Sequence, residues 1–147
     1  MYLGAQLEHK TINHVKCWTM TSQKYIQASV KKIEDKLKLQ QQILSTKERT
    51  PFNSGYRPES DFSSELLVQD IRSFQEVVGI LRWVVELCRI NIMVEVSMLS
   101  SHLASPRGGH LEAVYHIIAY LKKYYKITLA FDPRTPVIDQ ARFENFD

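Results

Sequence analysis

The sequence predicts a mostly helical α+β fold with a small N-terminal β-hairpin and a C-terminal strand. Three observations carry that prediction. Between residues 71 and 125 the apolar residues recur at steps of three and four over three successive stretches, the period of helices with a buried face. Residues 2–7 and 15–20 read as two short strands, and residues 127–131 read as a third. The hydrophobic fraction, 44% of 147 residues, is that of an ordinary globular chain, long enough for one domain or a piece of a larger one.

Taken in order, residues 1–20 form the hairpin, with a polar loop over residues 8–14 that lacks a tight-turn dipeptide. The period of two puts Trp18 and Met20 on one face and Cys17 and Thr19 on the other. A strand that starts at residue 2 suggests a chain that begins inside a larger sheet. Thr21 and Ser22 are candidate caps for a helix over residues 21–40. Its apolar stripe is Ile26, Val30, Ile33 and Leu37, and Lys24, Lys31, Lys32, Lys36 and Lys38 lie off that stripe beside Glu34 and Asp35. The helix is therefore amphipathic with a basic outer surface, which also suits a solvated face.

Residues 41–66 read as a linker, because Pro51, Gly55 and Pro58 prevent a regular element through the middle. Residues 67–132 form the helical core. Ile71, Phe74, Val78, Leu81, Val85 and Cys88 make the first stripe, widened by Val77, Ile80, Val84 and Leu87. Gly79 inside this helix costs about 1 kcal/mol against Ala, so close helix packing is expected there. A break falls near residues 89–91. Ile92, Val96, Leu99 and Leu103 make the next stripe, ended by Pro106 and Gly108-Gly109, and Leu111, Val114, Ile118, Leu121 and Tyr125 make the last. Lys122, Lys123 and Lys126 cluster at its C-terminal end, where the helix dipole favours cations. Asp132-Pro133 closes the third strand, and residues 133–147 form a tail without a clear period.

The residues argue against several kinds of chemistry. Two cysteines, Cys17 and Cys88, lack metal or redox spacing and read as reduced thiols. The five histidines give no i, i+4 pair, so ordinary surface or partly buried histidines are expected, not a metal site. Arg107-Gly108-Gly109-His110 has the composition to approach a phosphate at a helix N-terminus, but a plain loop into a helix is the favoured explanation. Asp61, Glu65, Asp70 and Glu76 look like a solvated acidic face. No paired carboxylates hold two metals, and no nucleophile motif or P-loop is present. The net charge of +3 permits a polyanionic partner without demanding one. Charged residues interrupt every apolar run, so no membrane span is expected, and no signal peptide is visible.

Several stretches together resemble copia-type retrotransposon reverse transcriptases. Tyr2-Leu3-Gly4, followed by Thr21-Ser22-Gln23-Lys24-Tyr25-Ile26, is similar to that family's aromatic-Leu-Gly strand, hairpin and "LSQxxYI" helix. Phe74 to Trp83 resembles its "Y-x-x-x-[IV]-G-x-L-x-[YW]" helix, and Cys88-Arg89-Ile90-Asn91-Ile92 its "xRPDI" or "GRIDI" step. Pro106 through His110-Leu111-Glu112-Ala113 resembles "P…HxxA", and Ala119-Tyr120-Leu121-Lys122-Lys123 resembles "RYLK". Asn91 stands where the family usually has Asp, and Cys88 where close relatives have Gly.

The resemblance implies a partial reverse transcriptase (RNA-directed DNA polymerase): the end of the palm, the thumb and the connection, before an RNase H domain. On that reading Tyr2, Leu3 and Gly4 position the primer end, and Lys24, Lys31, Lys32 and Lys36 contact phosphates. The implied partners are an RNA–DNA or DNA template–primer duplex and the missing palm and RNase H regions. The parent enzyme uses Mg2+, but no catalytic carboxylate and no cofactor belongs to this stretch, which is expected to be inactive alone. The implied location is cytoplasmic, in a virus-like particle, and not secreted. The alternative is a non-catalytic helical interaction module or a non-functional element remnant.

Overall fold

The computed structural model describes residues 4–136; Tyr2 and Leu3 and the tail beyond residue 136 lie outside them. The described chain is a small α+β fold, about half helical, with one three-stranded antiparallel sheet. In chain order it runs β1 (Gln6–Ile12), β2 (Val15–Thr21), α1 (Gln23–Leu39), α2 (Val68–Glu86), α3 (Met93–Ser100), α4 (Gly108–Lys123) and β3 (Leu129–Phe131). The last strand returns to the first two, and the sheet order is β1-β2-β3.

The hairpin departs from the sequence expectation. The first strand begins at Gln6 and runs to Ile12, so residues 8–12 are strand and not loop. The reversal is a two-residue turn at Asn13-His14, with φ of 48° and 64°. Both turn residues at positive φ match the twist of the flanking strands, and Asn and His tolerate that region better than most residues with a Cβ. The tight-turn dipeptide therefore exists without the glycine that usually marks it. Ile12 pairs with Val15 and Gln6 with Thr21, which puts Cys17 and Thr19 on the buried face. Leu7, Trp18 and Phe131 share the other face and stay about half exposed.

The expected helix over residues 21–40 is α1, and its stripe Ile26, Val30, Ile33 and Leu37 is buried. Its N-terminus is not capped as expected. Ser22 occupies the cap position but makes no cap bond; its Oγ lies 3.7 Å from Cys88 Sγ, while Thr21 Oγ1 accepts the Gln23 N–H at 3.3 Å. One apolar core joins α1 to Phe74, Val78 and Leu81 of α2, Val96 and Leu99 of α3, and Val114, Ile118 and Leu121 of α4. Each such side chain contributes about 1.5–3 kcal/mol on burial.

Three further corrections concern a mid-helix glycine, a helix end and the last strand. Gly79 is exposed, and a Cβ built on it meets nothing within 4 Å, so no close packing offsets its cost. The helix expected to end at Gly108-Gly109 stops at Ser100, before Leu103; the two glycines instead open α4. A Cβ on Gly109 would collide with the Asp61 carboxylate, so the glycine makes room for an acid arriving from the connection. The third strand is shorter than the run of residues 127–131, starting at Leu129.

The connection between α1 and α2 has no long element, only a short 3-10 turn at Pro58–Ser60, yet it is tied down. Leu44 and Pro58 are buried, and Glu65 bridges to Arg107.

Candidate nucleic-acid interface

The four lysines read from the sequence as one basic surface divide into two groups. Lys32 and Lys36 are one turn apart on the side of α1 that meets α2. Both reach the same carboxylate, Lys32 Nζ at 2.7 Å from Glu76 Oε1 and Lys36 Nζ at 2.9 Å from Oε2. The hydrogen bonds from Lys32 and Lys36 hold the Glu76 carboxyl below its ordinary range and push the Lys32 amine up. Glu76 is thus a bridge between two helices and not part of a purely solvated acidic face.

Lys24 and Lys31 lie two turns apart on a different side, exposed, and neither has a carboxylate partner among the described residues. Lys31 lies beside the C-terminal end of α4. A cleft of about 270 Å³ opens there, with Ile26, Val30 and Tyr125 contributing apolar surface and Lys31 and Lys122 bringing charge. Glu34 enters the same cleft and takes Lys122 Nζ at 2.6 Å. Tyr125 also borders the adjoining hollow, lined by Lys123, Tyr124, Lys126 and Ile127. Two ammonium groups sit over tyrosine rings, Lys123 over Tyr124 at 5.6 Å and Lys126 over Tyr125 at 5.7 Å. The result is a cationic edge built from Lys31, Lys123 and Lys126 around a tyrosine pair, with Lys24 two turns before Lys31 on α1. Charge for phosphates beside aromatic surface for sugars or bases is the usual composition of a nucleic-acid contact.

Lys123, Lys126 and Tyr125 were not among the expected contact residues. Their signal was in the sequence, as the run Lys122-Lys123-Tyr124-Tyr125-Lys126, but the helix dipole accounted for it. Of the expected primer-positioning residues, Tyr2 and Leu3 lie outside the described residues. Gly4 has φ of 102°, and a Cβ there would lie 3.2 Å from Leu87 Cδ1 and 3.4 Å from the Tyr25 ring. The close approach at Gly4 is to protein side chains.

The corner after α2 combines a positive φ with a buried arginine. Cys88 has φ of 104°, in the region that favours glycine. Arg89 follows, 0% exposed. Its Nε donates to Asn91 Oδ1 at 2.9 Å and its Nη1 to the Tyr124 carbonyl at 2.9 Å, while Nη2 has no partner among the described residues. Asn91 Nδ2 donates in turn to Tyr120 Oη at 3.1 Å. Burial lowers the guanidinium pKa, with Tyr120 opposing that shift. A buried guanidinium here has an amide where a carboxylate would neutralise it.

Arg107-Gly108-Gly109-His110 is the loop into a helix that the sequence favours over a phosphate site. Asp61 sits against the first turn of α4, Ser63 Oγ accepts the Gly109 N–H at 2.8 Å, and Arg107 Nη1 donates to the Ser63 carbonyl at 2.7 Å. The connection fills the helix N-terminus that an anion would need. Among the described residues no group of three His, Cys, Asp or Glu side chains is placed to hold a metal ion. No helix of the described residues is long and apolar enough to cross a membrane. No protein family, curated protein or solved structure matches the chain.

Proposed function

We propose that the chain is the thumb and connection portion of a copia-type reverse transcriptase, a non-catalytic piece that grips a template–primer duplex by its phosphates. What carries this reading is the corner at residues 88–91. The family's Gly-Arg-x-Asp step would supply glycine at a positive-φ position, an arginine that is buried, and a carboxylate beside it. Position 88 has φ of 104°, Arg89 is buried, and Asn91 is its hydrogen-bond partner. The backbone thus makes the demands that step would meet, at the two positions where this sequence departs from the pattern. The cationic edge of α1 and α4 supports the functional half of the reading. The grip is electrostatic and indifferent to base sequence. RNA–DNA hybrid and DNA duplex binding by the full chain, followed by fluorescence anisotropy over a range of salt, tests it. Binding that weakens steeply and linearly in log salt is expected, and absence of binding at low salt would overturn the reading.

A second reading, a helical interaction module, is favoured by a specific observation. An apolar groove between α2 and α3 is lined by Val85, Met93 and Val96 with Arg82 and Glu86 at its rim. If the chain folds cooperatively, stays monomeric and shows no affinity for either duplex, that module replaces the polymerase piece.

A further inference from the structure

The first strand forms an open edge of the sheet. The order β1-β2-β3 leaves its outer side without a neighbour among the described residues. The edge is seven residues long and pairs with β2 in unbroken register from Gln6↔Thr21 to Ile12↔Val15. Natural sheets guard a long edge by shortening it, or with a bulge, a proline or charged side chains. The opposite edge, β3, is guarded by having three residues. In β1 there is no bulge and no proline, and its charges are one of each sign, Glu8 and Lys10.

The hairpin decides which backbone groups this edge offers. In a two-residue hairpin the residues flanking the turn exchange both backbone hydrogen bonds, and the pattern alternates from there. Gln6, Glu8, Lys10 and Ile12 therefore spend their backbone groups on β2, while Leu7, His9 and Thr11 aim N–H and C=O out of the sheet. From Leu7 to Ile12 every side chain is exposed, so both faces beside the edge leave room for another strand.

Charge selects the occupant. Glu8 and Lys10 point to the same face. Lys10 Nζ lies 3.7 Å from Glu8 Oε2, an exposed contact that holds neither side chain firmly. When a second copy of β1 approaches antiparallel, with His9 opposite its own copy, Glu8 of each strand meets Lys10 of the other. The same register sets Leu7 opposite Thr11, so the outward groups of all three residues find partners. Centring the pair one residue to either side would oppose Glu8 to Glu8 or Lys10 to Lys10, and an in-register parallel pair would oppose both. A two-fold axis perpendicular to the sheet also preserves its faces. The row His9, Trp18 and Phe131, directly opposite one another across the three strands, would then run on into the second copy.

We propose that the chain pairs with a second copy of itself through β1, antiparallel about His9, as one sheet continuous across a two-fold axis. The contact is isologous and closes at two copies, because the edges left over are the short β3 strands. It stands apart from the duplex grip, which uses α1 and α4, so the two are measured separately and either can fail alone.

Sedimentation equilibrium of the full chain over a wide concentration range, together with amide hydrogen exchange, tests the pairing. A monomer–dimer equilibrium is expected. In the dilute monomer the Glu8 and Lys10 amides are protected and those of Leu7, His9 and Thr11 exchange freely; in the dimer all of them are protected. Glu8→Lys and Lys10→Glu should each weaken dimerisation roughly tenfold, since like charges replace both opposed pairs. Mixing these two variants should restore association as a one-to-one heterodimer, in which every opposed pair again has opposite signs. His9→Pro removes an outward N–H that the hairpin does not use, and should leave a folded monomer. The proposal is overturned if the chain stays monomeric at every concentration, or if the outward amides exchange freely in the dimer. It is overturned equally if the charge variants self-associate like the unaltered chain and gain nothing on mixing. Should a variant fail to fold, the exchange pattern of the unaltered chain decides by itself.

Discussion

At residue scale, Arg89 carries the buried side-chain nitrogen that lacks a partner among the described residues. Burying a cation without a counter-charge is costly, and an amide partner returns only part of that cost. Asn91→Asp is expected to stabilise the fold by about 1.5–3 kcal/mol, the range for a hydrogen bond to a charged group, measured by urea denaturation. No gain, or a loss, would mean that Arg89 is adequately satisfied already. Cys88 allows a companion experiment. Cys88→Gly should be nearly neutral, since relief of the positive φ offsets glycine's entropy, whereas Cys88→Val should cost more than about 2 kcal/mol because a β-branched residue resists that conformation. Equal effects would show that the thiol matters and not the backbone. The sequence marked these two positions only through departures from a family pattern. Nothing in their apolar spacing revealed that Arg89 is enclosed, because burial of an arginine depends on the Tyr124 carbonyl and Tyr120 arriving from another helix.

At the scale of elements, the two glycine sites separate two physical roles. Gly79 is exposed in mid-helix with open space around its α-carbon, so Gly79→Ala should stabilise by about 1 kcal/mol. The same change at Gly109 should destabilise, because the methyl would displace the Asp61 carboxylate. Thermal melts of both variants check the contrast, and matching effects would refute it. Asp61 also gives the connection a pH dependence. Burial acts to raise its pKa, but hydrogen bonds from Ser63 and Tyr56 outweigh that and hold the carboxyl below its ordinary range. Glu76 is held low as well, by Lys32 and Lys36. Both contribute stability that is complete above the unfolded carboxylate range, about pH 4, and is lost as the pH falls through the lower folded values. Melting temperature should therefore drop on acidification below about pH 4, and Asp61→Asn should flatten part of that drop. The amphipathic stripes of α1, α2 and α4 were legible in the sequence, because a 3.6-residue period needs no tertiary information. The β1 boundary was not, since its turn uses Asn and His where glycine is the usual signal. The anchoring of the connection was also hidden: His110, His116 and Asp61 act across about 50 or more residues of chain, beyond any local pattern.

For the whole molecule, the distribution of lysines decides what the fold can hold. One amphipathic helix suggested one basic face; packing α1 between α2 and α4 divides it. Lys32 and Lys36 serve the α1–α2 contact through Glu76, and Lys31 joins Lys123 and Lys126 on the α4 side. Helical spacing gives the direction of each side chain, but which direction meets an acid depends on the neighbouring helix. The apolar groove between α2 and α3 and the half-exposed sheet face around Trp18 are further apolar surface that the described residues leave open. The most direct test is the salt dependence of RNA–DNA hybrid binding by two variants, Lys31→Ala/Lys123→Ala/Lys126→Ala and Lys32→Ala/Lys36→Ala. The first should lower the slope of log affinity against log salt by roughly 0.9 for each phosphate contact removed. The second should leave the slope unchanged while reducing stability slightly. A first variant with the unaltered slope, or a slope that falls only in the second, would contradict a nucleic-acid grip on this edge.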